Sequence, residues 1–197
     1  DFLLGAVAER TGSNLENLLW SGDAGAVFGT GFLSNDGVID EAGINASACQ
    51  DFTQVDTGAA WTAGNILDKL SLVFDGAAAI PGILGKPGVG FYISYEAYAF
   101  FLQAVAAQGF NQSMEGANYL GYPVYATSGI PNTVDVAVFT YPDNLVVGAN
   151  SYTADISAQL IPTYQYDGSD NVRISMRFAV GVQSGVATDG IVGFNFA

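Results

Sequence analysis

Three groupings of residues in this chain have the makings of a reactive or binding site. Gly82-Ile83-Leu84-Gly85-Lys86-Pro87 has the glycines and lysine of a phosphate-binding loop, in which backbone amides cradle the phosphate and the ammonium neutralises it. That chemistry needs four residues between the glycines and a Ser or Thr after the lysine to reach magnesium. Here two residues intervene and proline follows, so the segment reads as a turn. Asp36, Asp40 and Glu41 form the densest acidic cluster, a composition suited to calcium. With Gly37 as the loop glycine of an EF-hand, Gly43 falls where a bidentate glutamate is required, and the cluster reads as a solvated loop. Gly25 to Gly31 carries its glycines in G-x-x-x-G-x-G order, which is not the dinucleotide-binding order.

The chain contains no histidine, which removes the commonest general base and metal ligand and excludes Ser-His-Asp and Cys-His catalysis within it. Cys49 is the single cysteine and cannot form an internal disulfide. A hydrolase working with two carboxylates stays open, but nothing in the sequence selects the pair. Phe91, Tyr92, Tyr95, Tyr98, Phe100 and Phe101 span a strand end and a helix, the spacing of ordinary core packing. No catalytic, cofactor or metal site is assigned, and the expectation is a protein that is not an enzyme.

The elements that would position these residues are set by periodicity. Leu4, Val7, Ala8, Thr11, Leu15, Leu18 and Leu19 recur at helical steps, giving one helix or two over the first twenty residues. Ser13 with Glu16 has capping-box spacing, which makes a fresh helical start there plausible. Asn65 to Phe74 is helical, Val89 to Ile93 is a strand, and Ser94 is a natural N-cap for a helix carrying Tyr98, Phe101, Leu102 and Val105. Gly22 to Gly58 reads as loops with a few short strands, and Gly109 to Asn118 as a polar loop. Strands are expected at Tyr122–Ala126, Val134–Thr140, Leu145–Val147, Tyr152–Ile161, Val172–Val182 and Ile191–Phe196. Helices early and strands late indicate an α+β fold.

Composition narrows the function classes. The 197 residues include 5 basic and 19 acidic ones, for a formal charge of −14, and only 12% are charged, about half the ordinary ~25%. Such a chain lacks the clustered Lys and Arg of a tight nucleic-acid reader. Its 25 residues with aromatic rings (13 Phe, 10 Tyr, 2 Trp) exclude disorder. No signal peptide is read at Asp1–Leu4, and Ala97 to Phe110, the longest charge-free apolar stretch, is too short to cross a bilayer. A mean hydropathy of +0.30 with so little charge points to a surface covered by other subunits.

Several short segments, in order, resemble one family. Leu15–Asp23 (LENLLWSGD) is similar to the end of the spine helix of tailed-phage major capsid proteins of the Hong Kong 97 type. Phe91–Tyr98 resembles their strand entering a helix, Tyr119–Val124 their lxGxPV turn, and Ile130-Pro131 the apolar-Pro element after it. Asp143–Gly148 resembles a strand of theirs, and RISMRFAVGVQ (Arg173–Gln183) the strand near their C-terminus. The resemblance runs through nearly all of the chain. It implies an axial domain over 36–148 and a peripheral domain combining 1–35 with 149–197. It also implies self-assembly into hexamers and pentamers of an icosahedral shell around double-stranded DNA, which is enclosed without sequence-specific binding.

On this resemblance the protein resides in the virion shell after assembly in the host cytoplasm, with scaffold, portal or decoration proteins as further partners and no membrane. The family's N-terminal arm, extended loop and most of its spine helix would precede Asp1, so nothing residing there is carried over. The same fold builds encapsulins, compartments that hold cargo enzymes. The alternative from another class is a β-rich secreted or surface binding module. Two sets of inter-subunit contact residues are expected. Asn111, Gln112 and Glu115 lie in the polar loop that would reach the capsomer axis. Arg173 and Arg177 lie on the polar face of a strand whose hairpin partner carries Asp155, Ser157 and Gln159. A five-residue connection would set Gln159 opposite Arg177 and Thr163 opposite Arg173, which leaves carboxylates of a neighbouring subunit as the arginines' partners.

Overall fold

The computed structural model describes residues 2–21, 31–33, 52–109, 117–149, 159–162, 172–175 and 180–195. Helix α1 (Phe2–Ser21) runs unbroken through Gly12. Strand β1 (Thr53–Asp56) precedes α2 (Ile66–Ala78), and a short 3-10 helix (Ile83–Gly85) leads to β2 (Gly90–Ser94). Helix α3 (Tyr95–Ala107) follows β2 directly, with the Ser94 hydroxyl accepting a hydrogen bond from the Ala97 amide as the N-cap expected from sequence. Beyond it come β3 (Asn118–Tyr119), β4 (Tyr122–Thr127), β5 (Val136–Thr140), β6 (Leu145–Ala149), β7 (Gln159–Pro162), β8 (Val172–Ser175), β9 (Val180–Ser184) and β10 (Ile191–Phe194).

Six strands form one sheet in the order β1-β10-β5-β2-β4-β3. β5 lies antiparallel to both β10 and β2, while β1/β10 and β2/β4 are parallel pairs. The β2/β4 pair needs a crossover, and α3 lies within it. This α+β arrangement therefore includes one βαβ crossover that the texture of the sequence did not reveal. The remaining four strands form two ribbons, β6/β9 and β7/β8.

Both faces of the sheet are buried, and strand alternation assigns each residue to one of them. Phe91, Ile93, Val124, Ala137, Phe139 and Ile191 point to the face covered by Ile66, Leu70 and Val73 of α2 and Ala97, Phe101 and Val105 of α3. Val136, Val138, Val192 and Phe194 point the other way, against Trp20 at the end of α1 and against Phe32, Leu33, Phe52 and Ile130. Helix α1 ends where Leu33 and Phe32 donate their amides to the carbonyls of Trp20 and Leu19, each at 2.7 Å, which satisfies acceptors that a helix C-terminus leaves open.

The expected antiparallel pairing of β7 with β8 is present, in a register two residues from the expected one. Ile161 stands opposite Arg173, and Gln159 opposite Ser175. A two-residue slip keeps every side chain on its face, so hydrophobic alternation cannot tell the two registers apart; only the assumed connection length chose between them. Residues 163–171 form that connection and lie outside the described residues.

Helix α2 sits so close to the sheet that a β-carbon on Gly193 would lie 2.2 Å from Val73 Cγ2. Around Gly12, in α1, nothing lies within 4 Å of such an atom. Gly193→Ala is therefore expected to cost about 1–3 kcal/mol by overpacking. Gly12→Ala is expected to stabilise by about 0.5–1 kcal/mol through helix propensity. Urea denaturation of the two variants should shift in opposite directions.

Candidate assembly surfaces

The described residues contain no group of three His, Cys, Asp or Glu side chains able to hold a metal ion, and no helix among them is long and apolar enough to cross a membrane. The segment with phosphate-loop residues is a 3-10 turn entered through Gly82 at φ +83°. Its Lys86 lies 3.9 Å from the Asp189 carboxylate and 5.3 Å from the centre of the Tyr141 ring. Burial first, then the charge of Asp189, pushes the Tyr141 phenol upward, which keeps it a neutral donor to Asp189. This cluster pins a turn.

Asn144 joins the two turns at the root of the β6/β9 ribbon. It is buried; its Nδ2 donates to Thr140 Oγ1 and to the carbonyls of Val186 and Asp189, and its Oδ1 accepts from the Val186 amide. With its amide side chain fully used, Asn144 fixes where the ribbon leaves the sheet. The ribbon itself is uncharged along both strands, and Val146, Val147 and the adjoining Val186 are exposed.

Helix α1 is held to the sheet by a polar latch that replaces the capping box expected at Ser13. The Glu16 carboxylate accepts hydrogen bonds from Thr127 Oγ1, Ser128 Oγ and the Ser128 amide. One turn on, Trp20 packs 5.4 Å from Phe32 and 5.7 Å from Tyr92, ring centre to ring centre. Gly129 permits this approach, since a β-carbon there would lie 2.3 Å from Trp20 Cδ1 and 2.5 Å from the Glu16 carbonyl. Burial raises the Glu16 carboxyl, but the hydrogen bonds from Ser128, Thr127 and Gly129 outweigh it and leave the pKa below its ordinary 4.5. On the same face Tyr92 stacks on Tyr125 at 5.2 Å, and burial, then Tyr125, pushes its phenol up to about 12.

Of the contact residues expected from sequence, Arg173 alone lies among the described residues. Asn111, Gln112 and Glu115 lie outside the described residues, as does Arg177. Arg173 lies in β8, opposite Ile161. Asn118 belongs to a strand paired with Pro123 of β4 and not to the polar loop, because the turn that comes after it closes a hairpin. Sequence reasoning missed Glu16, whose partners are more than a hundred residues away; no local pattern announces such a contact.

A helix ending on one face of a mixed sheet, a strand running straight into a helix, and a hairpin leading into β4 belong to an arrangement that solved phage capsid structures share, a capsid fold of the Hong Kong 97 type. By sequence, no known protein family and no curated protein matches the chain. By structure, the capsid of an empty GTA particle matches with a TM-score of 0.65 and 18% identity over 100% of the chain. Mycobacterium phage Che8 matches with a TM-score of 0.53 and 14% identity over 74% of it. The holo-SrpI encapsulin of Synechococcus elongatus matches with a TM-score of 0.52 and 14% identity over 98%. The chain spans 66%, 54% and 64% of those proteins' own lengths, less than two-thirds in each case.

The latch sets a pH dependence with a definite sign. A carboxyl whose pKa is lower folded than unfolded contributes stability above its unfolded pKa and loses it as pH falls through the folded one. Docking of α1 is therefore expected to be at full strength above about pH 4.5 and to weaken below it. Glu16→Gln should remove about 1 kcal/mol at neutral pH, given the partial exposure of the site, and flatten the acid response. Trp20 fluorescence in a Trp61→Phe background measures both.

Proposed function

We propose that the chain is part of a subunit that closes with copies of itself into a protein shell, and that the shell is a phage-type capsid. The observation carrying this reading is the fold shared with the capsid of a GTA particle over the entire described architecture. Composition agrees with it. Subunits surrounded by copies need little ionic surface, and a net charge of −14 keeps packaged DNA from adsorbing tightly to the wall. In this reading hexamers and pentamers enclose double-stranded DNA, assembly takes place in the host cytoplasm, and scaffold, portal or decoration proteins are further partners. The role is structural, with no catalysis.

Residues 36–148 would form the axial domain and 1–35 with 149–197 the peripheral one, with β10 returning to bridge the two. Within this arrangement the loop containing Asn111, Gln112 and Glu115 would line the capsomer axis. Arg173 and Arg177 would pair with carboxylates of a neighbouring copy, where bidentate hydrogen bonds fix register. A second reading, an encapsulin-type compartment, is favoured by the match to the SrpI encapsulin over 98% of the chain.

Negative-stain microscopy of the protein expressed from its complete coding sequence tests the proposal. Uniform closed particles or rings support a shell, whereas dispersed monomers sink it in favour of a binding module. Nuclease-protected DNA inside particles from infected or induced cells separates a capsid from a cargo compartment. Two variants test the contacts. Deletion of Gln112–Gly116 should leave a soluble fold and disturb ring formation. Arg173→Glu with Arg177→Glu should preserve the circular dichroism spectrum and block assembly at moderate salt; wild-type particle yields would refute the interface role.

A further inference from the structure

We propose that Leu120 is a preformed knob by which one copy of this chain grips a second; the inference rests on the shell reading above. Tyr119 and Tyr122 pair across the β3/β4 hairpin, so Leu120 and Gly121 alone make its turn. Both central residues are left-handed, with φ of +50° and +86°, the arrangement of a type I′ turn. Gly121 suits it. Leucine at the first position is disfavoured, because its β-carbon crowds the backbone in this region and it has no polar group to bond locally. Leu120 is the one non-glycine residue at positive φ among the described residues.

Among the described residues no contact of Leu120 offsets that strain. Leu120 is 56% exposed. The hairpin beneath it is rigid. Tyr119 Oη donates to the Leu67 carbonyl of α2 at 2.8 Å, and Tyr122 Oη donates to the Leu84 carbonyl at 3.1 Å. The Tyr119 ring packs 5.9 Å from Phe91 and the Tyr122 ring 5.7 Å from Phe74. An apolar side chain held out on a fixed turn loses little freedom when it is covered, which favours binding. Strain kept at an exposed position is expected where a contact made elsewhere compensates it.

Charge identifies the partner. Ala117 to Val134 contains no charged residue, so the tip has nothing to offer a basic or acidic partner. A basic partner would be drawn instead to the exposed Asp68 and Asp75 of α2. Two copies at −14 each repel least where the touching surfaces carry no carboxylate. The β6/β9 ribbon, uncharged from Asn144 to Ala149 and from Val180 to Thr188, meets that condition. Its exposed Val146, Val147 and Val186 are the apolar surface that receives the knob. Knob and ribbon are different patches of one chain, so the contact is head-to-tail and can close into a ring.

Leu120→Asn tests this, because asparagine tolerates the left-handed turn and removes the apolar knob. The variant is expected to fold with a thermal midpoint at or above that of the wild type, and to lose at least about tenfold in particle yield. Leu120→Met, which restores an apolar side chain, should recover the particles. In a Cys49→Ser background, Leu120→Cys with Val147→Cys should give disulfide-linked multimers on oxidation. Particles formed by Leu120→Asn at wild-type yield overturn the grip and leave the shell reading intact. A Leu120→Asn variant that fails to fold overturns the strain argument. Particles that form without cross-linking overturn the ribbon as the receiving surface. Wild-type chains that stay monomeric overturn the shell reading and the grip with it.

Discussion

Every residue from Val136 to Thr140 is buried, and β5 stands between antiparallel neighbours on both sides. A strand in that position must be covered on both faces, and the rest of the architecture is the means of covering it. Ala137 and Phe139 require the layer made by α2 and α3, while Val136 and Val138 require the one made by Trp20, Phe32 and their neighbours. A one-residue slip of β5 would send each set to the wrong layer, so register is held by both cores at once. The end of the same strand anchors the β6/β9 ribbon. Thr140 Oγ1 donates to the Asp189 carbonyl and accepts from Asn144, which ties the root of the ribbon to the sheet.

The position of α1 is a consequence of this demand. Trp20 covers the second face only if the last turns of the helix lie against the turn after β4, and Gly129 supplies the space. That approach also carries a glutamate close to a surface that would otherwise face it with unsatisfied hydroxyls and an amide. The hydrogen bonds from Thr127 and Ser128 turn a half-buried charge into an attachment. Apolar cover and polar latch occupy adjacent turns of one helix, so each strengthens the other.

Much of this was legible from local pattern. The three- and four-residue spacing of Ile66, Leu70 and Val73, the Ser94 cap, and the Val- and Phe-rich strands each reflect a constraint acting within a few residues. Contacts between distant segments left no such trace. The Ser13-Glu16 spacing imitates a capping box, but the glutamate is taken by residues 127 and 128. Strand β10 enters the sheet between β1 and β5, an order that no periodicity encodes. The β7/β8 register was open to a two-residue slip for the same reason: alternation fixes faces and not offsets. The expected contact residues rested on the polarity of a loop and on an assumed hairpin register, and neither reports which surface a side chain meets.

The scarcity of cations gives the surface its logic. Lys69 donates to the Thr57 carbonyl, and Lys86 is engaged by Asp189 and Tyr141, so both serve the subunit's own turns. With 19 carboxylates against five bases, copies of this chain repel at long range. That repulsion is screened within about 10 Å at 0.1 M salt. On the shell reading, attraction between copies then draws, beside any arginine–carboxylate pair, on short-range apolar contact at uncharged places, such as the hairpin tip and the β6/β9 ribbon. Such contacts change little with salt, while the repulsion opposing them weakens as salt rises. On the shell reading, ionic strength thus acts on the balance between monomer and shell through the charged surface, and geometry acts through the uncharged one. A subunit of such a shell would separate the choice of when to assemble from the choice of which surfaces meet.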